Sequence, residues 1–289
     1  MRVLISGSGG LIGSAFAASL EARGHEVERL ERNTRGGSPF FHDADFEGAD
    51  AAVNLCGYGI MRRWNSSVKK EIENSRVESA SYLASVFSRL NRPPKVFLCA
   101  SATGFYGSRA DEILNEQSAE GEGFLARVAG RWEAAAKEVP PSVRVVNLRF
   151  GIVLSSQGGA LKTMKMPFKL GLGAVAGDGS GYMGWISLKD AVRAMEFAME
   201  NETVSGAVNI VSPSPATNRE FTRAVARAVG RKVFLSVPAG IIKLVFGEMG
   251  GEVIIASARA VPGKLADAGF EFEDENLDEF LLSELSGGG

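Results

Sequence analysis

The chain opens on a compact apolar run at residues 2–5, breaks at a glycine-rich turn, and continues with apolar positions at helical spacing over residues 11–22, ended by Gly24. A strand, a tight turn and a helix are expected there. Residues 25–30 (HEVERL) alternate as a strand does, and residues 51–55 (AAVNL) form a second short apolar strand. Over residues 65–90, Ile72, Val77, Leu83, Val86 and Leu90 keep roughly helical spacing until Pro93 and Pro94 close the segment. Two further strands, residues 95–101 (KVFLCAS) and 143–150 (VRVVNLRF), bracket a helix over residues 123–138. Strands that are apolar throughout and alternate with helices predict an α/β fold, a parallel sheet covered on both faces.

Beyond Phe150 the alternation is interrupted by GGALKTMKMPFKLGLG and GDGSGYMGW. A helix over residues 189–200, a strand AVNIV and a helical tail then follow. The expected division is residues 1–150 as the core of the sheet and residues 151–289 as returning sheet elements plus a smaller C-terminal lobe on the substrate side. No internal repeat is evident.

Composition narrows the field. With 45% apolar and 23% charged residues over 289, the chain reads as an ordinary globular protein. A net charge of −2 and a pI near 5.9 show no electrostatic footprint for DNA, RNA or an anionic membrane, so neither nucleic acid nor a membrane is expected as a partner. No apolar run reaches the ~18 residues that span a bilayer, and the opening run lacks a leader layout, so the expected location is the cytoplasm. Two cysteines, Cys56 and Cys99, make neither a disulfide framework nor a zinc site and are read as reduced core thiols. Two histidines leave few candidates for a serine–histidine triad.

The turn GSGGLIG (7–13) places glycines at 7, 10 and 13. In a chain with 35 glycines that spacing alone says little. Its position says more, because it follows the first strand and opens a helix. Backbone N–H groups and the helix dipole there can take a pyrophosphate, provided no Cβ blocks the approach. Gly7, Gly10, Leu11, Ile12 and Gly13 are therefore candidate cofactor residues; a bare tight turn is the alternative. The adenosine ribose of such a cofactor is read at the end of the second strand, where Glu31, Arg32 and Asn33 stand with Arg35 close behind. An acid favours the free 2′-hydroxyl of NAD, an arginine the 2′-phosphate of NADP. The chain offers both; NADP is preferred, NAD being possible, because the arginine can point outward past the strand end. Leu55, Cys56 and Gly57 would line the adenine and ribose side with small groups.

These residues together resemble the extended short-chain dehydrogenase/reductase superfamily. The likeness is closest to its atypical NAD(P)-dependent epimerase/dehydratase branch labelled cell-division-inhibitor-like (SulA-related, DUF1731-containing). Motifs specific to the branch run along the chain in order: RRWN (62–65), IENSRV (72–77), ASATGFYG (100–107), DEILNEQS (111–118), RWEAAA (131–136), LRFGIVLSSQGGAL (148–161), GWISLKD (184–190), NIVSPSPATNREFT (209–222) and SARAVPGKLADAGFEF (257–272). The resemblance implies a doubly wound parallel Rossmann sheet with strand order near 3-2-1-4-5-6-7. It matches Ser101 to the family's active-site serine, and Glu71 and Arg76 to positions that reach toward the cofactor. Phe150, Gly151 and Ile152 match the turn that passes the nicotinamide amide.

In working members of the superfamily a tyrosine phenol, activated by a lysine four residues on, moves the proton. The matching positions here are Leu125 and Ala129. The chain has four tyrosines, and the residues four places after Tyr58, Tyr82, Tyr106 and Tyr182 are Arg62, Val86, Ala110 and Ile186. None is a lysine. Replacement groups by sequence are Tyr106, Ser101, Glu133, Lys162 and Lys165, each with an ordinary structural alternative. Where the branch shows a glutamine and a Trp-Ile-His, this chain has Gly181 and Trp185-Ile186-Ser187. Two readings follow: an NADP-dependent oxidoreductase or epimerase on a small carbonyl or hydroxyl substrate, or a non-catalytic NADP(H)-binding regulatory or redox-sensing protein. The sequence names neither a substrate nor an oligomeric state.

Overall fold

The computed structural model describes residues 1–30 and 46–286. Six parallel strands form the central sheet: β1 (Arg2–Ser6), β2 (Glu26–Leu30), β3 (Ala51–Asn54), β4 (Val96–Ala102), β5 (Arg144–Phe150) and β6 (Gly206–Ile210). They lie in the order β2-β1-β3-β4-β5-β6, which is the implied family order from its second position onward. β2 is the last strand of the sheet among the described residues. β1, β3 and β4 are buried along almost their whole length, as strands covered on both faces must be. The sixth strand returns to the sheet from beyond residue 150.

Helices cover both faces. On one, α1 (Leu11–Ala22) buries Gly13, Phe16, Ala17 and Leu20, a stripe at helical spacing, and packs against α5 (Leu188–Glu200). On the other, α2 (Ser66–Phe87) packs against α3 (Phe124–Ala136). Asn65 caps α2, its side chain accepting from the Val68 N–H. α2 ends at Phe87, three residues short of the apolar pattern, because Leu90 packs from the turn that follows.

GGALKTMKMPFKLGLG contains a helix, α4 (Gly159–Lys169), which the sequence reading left irregular. It buries Leu161 and Phe168 in a second core with Trp185, Phe221, Phe280 and Leu281, anchoring the C-terminal lobe. Trp185 donates its indole N–H to the Ser214 carbonyl at 2.8 Å and stacks on Phe280, so it is a packing residue. Ser187, at the branch's histidine position, caps α5 by accepting from the Asp190 N–H at 3.0 Å. α6 (Asn218–Ala228) and α7 (Ala239–Phe246) complete the part of the lobe discussed below.

Candidate active site

The glycine turn is held from below and open above. A Cβ at Gly7 would stand 2.7 Å from the Leu55 carbonyl carbon, and one at Gly13 would stand 2.3 Å from the Gly7 oxygen. Gly7 also has φ +77°, a conformation that favours glycine. At Gly9, in contrast, no atom of the described residues lies within 4 Å of an added Cβ, and at Gly10 only the Gly7 oxygen does. The turn therefore presses against the chain just past β3, while its outer side, at the start of α1, is clear of the described residues and open to an anion. Leu11 packs its side chain over Gly158 and Gly159, Ile12 packs on the main core, and Leu55 and Cys56 are half-buried beside the turn. Glu31 and Arg32 lie outside the described residues.

Beyond the strand ends lies a cleft of about 310 Å³. Ala102, Thr103 and Gly104 at the end of β4 line it, with Phe150, Gly151 and Ile152 at the end of β5. Leu125, Val128, Ala129 and Trp132 on α3, Arg76 on α2, and Tyr182, Met183 and Gly184 complete most of the wall. This is where open α/β sheets bind ligands, outside the carboxyl ends of the strands. A neighbouring cavity of about 340 Å³ shares Met183 and Ala256 with it.

Of the sequence candidates, Arg76, Gly151 and Ile152 stand on this wall. Arg76 donates to the carbonyls of Tyr58 and Ile72 at 3.0 and 2.9 Å and stands over the Trp132 ring. Gly57 admits it, since a Cβ there would come within 3.1 Å of the guanidinium. Burial pushes the Arg76 guanidinium down to about 10. Glu71 is exposed, and five residues back along α2 it stands about 140° round the helix from Arg76, away from the cleft.

Ser101 and Tyr106 do not line the cleft. Ser101 is 3% exposed and donates its hydroxyl to Glu133 Oε1 at 2.8 Å. Glu133 pairs through both oxygens with Arg149 at 2.7 and 2.9 Å, each side chain about 5% exposed. Arg149 also donates to the Tyr106 hydroxyl at 3.0 Å, and that hydroxyl donates to Asn209 at 2.7 Å. Burial raises the Tyr106 phenol above its ordinary range. Burial also works against the Arg149 charge, but the Glu133 carboxylate outweighs it and holds the guanidinium above its usual value. These groups form a closed network beneath the strand ends. As placed, they hold β4 and β5 rather than face a substrate. Lys162 and Lys165 on α4 are likewise off the cleft wall.

Three wall residues escaped the sequence reading. Thr103 lies two residues past Ser101, and its hydroxyl has no partner among the described residues. Tyr182 has no lysine four places on, so the sequence gives it no role; its phenol also lacks a partner among the described residues, and the Arg259 guanidinium stands 4.7 Å from its ring centre. Glu252 comes from a π-helical turn far along the chain and accepts from the Phe124 and Leu125 N–H groups, both at 2.8 Å. It supplies the first turn of α3 with the carboxylate that a helix N-terminus favours. No local pattern announces that contact.

Comparison with known proteins agrees with this architecture. Residues 3–211 match the family described as "NAD dependent epimerase/dehydratase family", and residues 237–283 match "Domain of unknown function (DUF1731)". An epimerase family protein of Mycobacterium tuberculosis is 40% identical over 290 residues, covering 96% of each chain. The Homo sapiens epimerase family protein SDR39U1 is 34% identical over 288 residues, covering 97% of this chain and 98% of that protein. The crystal structure of human SDR39U1 (isoform 2) with NADPH superposes with a TM-score of 0.91 at 33% identity, covering 99% of each chain. A UDP-glucose 4-epimerase from Thermus thermophilus, in complex with NAD, shares the fold at TM-score 0.75 and 20% identity. The chain belongs to the NAD-dependent epimerase/dehydratase family, in the atypical short-chain dehydrogenase/reductase branch that carries a C-terminal DUF1731 domain.

Proposed function

We propose that the protein is an NADP(H)-dependent oxidoreductase or epimerase-like enzyme acting on a small carbonyl or hydroxyl substrate. The observation that carries this reading is the pairing, in one sheet, of a glycine turn opening α1 after β1 with a preformed, mostly apolar cleft at the ends of β4 and β5. The likeness to a relative solved with NADPH supports NADP over NAD. Gly7 and Gly13 let the backbone take the pyrophosphate, while Gly151 and Ile152 bound the nicotinamide end. The nicotinamide, when bound, supplies or accepts a hydride. The chain's own work is to orient the substrate against it, exclude water with Leu125, Val128 and Trp132, and move one proton. Thr103 Oγ1 and Tyr182 Oη are the free hydroxyls on the wall and take the proton-handling role in place of the absent tyrosine–lysine pair. Ser101, Glu133, Arg149 and Tyr106 act beneath them as positioning residues.

Titration with NADPH and NADH, followed by NADPH oxidation against a panel of small aldehydes, ketones and quinones, tests the reading. Tight NADPH binding with turnover that Tyr182→Phe or Thr103→Ala lowers, at unchanged cofactor affinity, is expected. The same titration on Arg32→Ala assigns the 2′-phosphate reader: loss of NADPH preference implicates Arg32, and a preference for NADH passes the ribose to Glu31. Absence of binding to either cofactor overturns the reading.

One observation favours the non-catalytic alternative. The two positions of the usual dyad, Leu125 and Ala129, present hydrocarbon to the cleft, and Ser101, Glu133 and Arg149 are spent on one another. Tight NADPH binding with no turnover across the panel would select that reading. The cofactor would then serve as a ligand that stabilises the folded state by mass action.

A further inference from the structure

The whole-chain charge of −2 conceals a strong segregation. Residues 139–177 and 221–247 contain no aspartate or glutamate. The structure brings parts of these two stretches together. Strand residues Leu235–Val237 pair in parallel with Ala174–Ala176, Arg231 donates to the Lys169 carbonyl at 2.9 Å, and the Gly177 N–H donates to the Val237 carbonyl at 2.9 Å. α7 follows directly, through Pro238.

On these elements large apolar side chains stand out into solvent. Phe234 is 86% exposed and Leu244 78%, with Leu170, Leu172, Leu235 and Val245 all above half. α7 has Ile242 as its one buried residue, so most of an eight-residue apolar helix faces outward. Exposed on the same elements are Lys162, Lys169, Arg231, Lys232 and Lys243, none with an acidic partner among the described residues. A monomer has no reason to leave such a patch uncovered.

We propose that this face of the C-terminal lobe docks peripherally on an anionic phospholipid bilayer. Apolar side chains that protrude, carried on the same acid-free stretches as lysine and arginine without acidic partners among the described residues, match a surface that is negative at the headgroups and apolar just beneath them. A second copy of the chain fits worse, because a two-fold contact would set the two sets of basic groups against each other. An acidic protein would need pockets for side chains as prominent as Phe234 and Leu244, whereas fluid acyl chains need none. The docking is superficial: among the described residues no helix is long and apolar enough to cross a membrane. The proposal revises the expectation, drawn from net charge, that the protein has no membrane partner. It does not depend on the proposed enzymatic function.

The test is co-sedimentation of the full chain with vesicles of phosphatidylcholine, alone or with about one third phosphatidylserine. The expected result is at least ~10-fold stronger partitioning onto the anionic vesicles, weakened by raised salt. Two paired variants, Phe234→Ser with Leu244→Ser and Lys232→Glu with Lys243→Glu, should each lose ~10-fold or more while binding NADPH as the parent does. All four positions are exposed, so the fold is not at issue. Equal binding to neutral vesicles, no binding to either, or variants indistinguishable from the parent overturns the proposal. A dimer in light scattering that the serine pair dissociates, without vesicle binding, would give the face to a second copy instead.

Discussion

Replacing Glu133 by glutamine isolates the network beneath the strand ends. The side chain keeps its shape and one acceptor oxygen, but its new amide group faces Arg149, a donor, at the 2.9 Å position where a carboxylate oxygen now accepts. Arg149 remains about 5% exposed with its charge uncompensated. Breaking a buried pair from one side costs about 3–5 kcal/mol, most of it the stranded charge. For a chain of this size each kcal/mol moves Tm by about 2–4 °C, so a fall of roughly 10 °C is expected. Thermal unfolding followed by circular dichroism, on Glu133→Gln, Arg149→Met and the double variant, separates the stranded charge from general damage. Removing both partners should restore more than half of the single-variant loss, because the hydroxyl of Tyr106 keeps Asn209. A loss below about 1 kcal/mol in Glu133→Gln, or a double variant as unstable as the two singles summed, refutes the argument. Turnover abolished by Glu133→Gln with stability intact would make Glu133 the proton donor after all.

Three further outcomes are expected. Gly13→Ala forces a Cβ to within 2.3 Å of the Gly7 oxygen, so the turn must move, and NADPH affinity by fluorescence titration should fall at least ~10-fold. Glu252→Ala strips the first turn of α3 of its carboxylate and should cost about 1–2 kcal/mol in urea unfolding, with little change in the m-value. Tyr182→Phe removes a phenol that has no hydrogen-bond partner among the described residues, so Tm should stay within about 1 °C of the parent. Turnover of any reactive carbonyl by that variant should drop about 100-fold or more.

What the sequence disclosed follows from range. The apolar runs of β1, β3, β4 and β5 and the stripe on α1 are local patterns, and a doubly wound sheet is the way to bury all of them together. The glycine turn was legible for the same reason, since Gly7 and Gly13 answer to atoms only a few residues away or on the adjoining strand. The chemistry of the cleft was not. Ser101 has the right position on β4, but its side chain turns to Glu133, leaving to the open end its strand neighbour Ala102 and, in the turn past the strand, Thr103. Tyr106 has a polar tip and a motif around it, yet its partners Arg149 and Asn209 come from two other strands. Which hydroxyl meets a ligand is decided by which strand-end neighbour has already taken it. That depends on contacts between residues as far apart in the chain as Tyr106 and Asn209.

The C-terminal domain changes how the apolar positions on α3 should be read. Gly251, Glu252, Val253, Ala256 and Ala258, all within residues 237–283, stand on the cleft wall. Gly123 has φ +112°, and a Cβ there would meet the Glu252 carboxylate at 3.1 Å, so the chain before α3 is shaped to admit that carboxylate. A tyrosine in place of Leu125 would carry its phenol from the very turn whose backbone N–H groups Glu252 already accepts from, and its ionised form would stand close to a second negative charge. A phenol poised by a lysine works only where the tyrosinate is the favoured neighbour. The carboxylate cap therefore disfavours the usual pair at this helix and, on the proposed function, moves proton handling to the opposite wall, where Tyr182 has the Arg259 guanidinium over its ring. On the proposed function, the missing dyad and the C-terminal wall are two sides of one arrangement. The triple variant Glu252→Ala, Leu125→Tyr, Ala129→Lys should accordingly be less destabilised in thermal unfolding than the separate losses of Glu252→Ala and of the Leu125→Tyr, Ala129→Lys pair added together. Simple additivity of those losses would mean that the carboxylate and the missing dyad are unconnected.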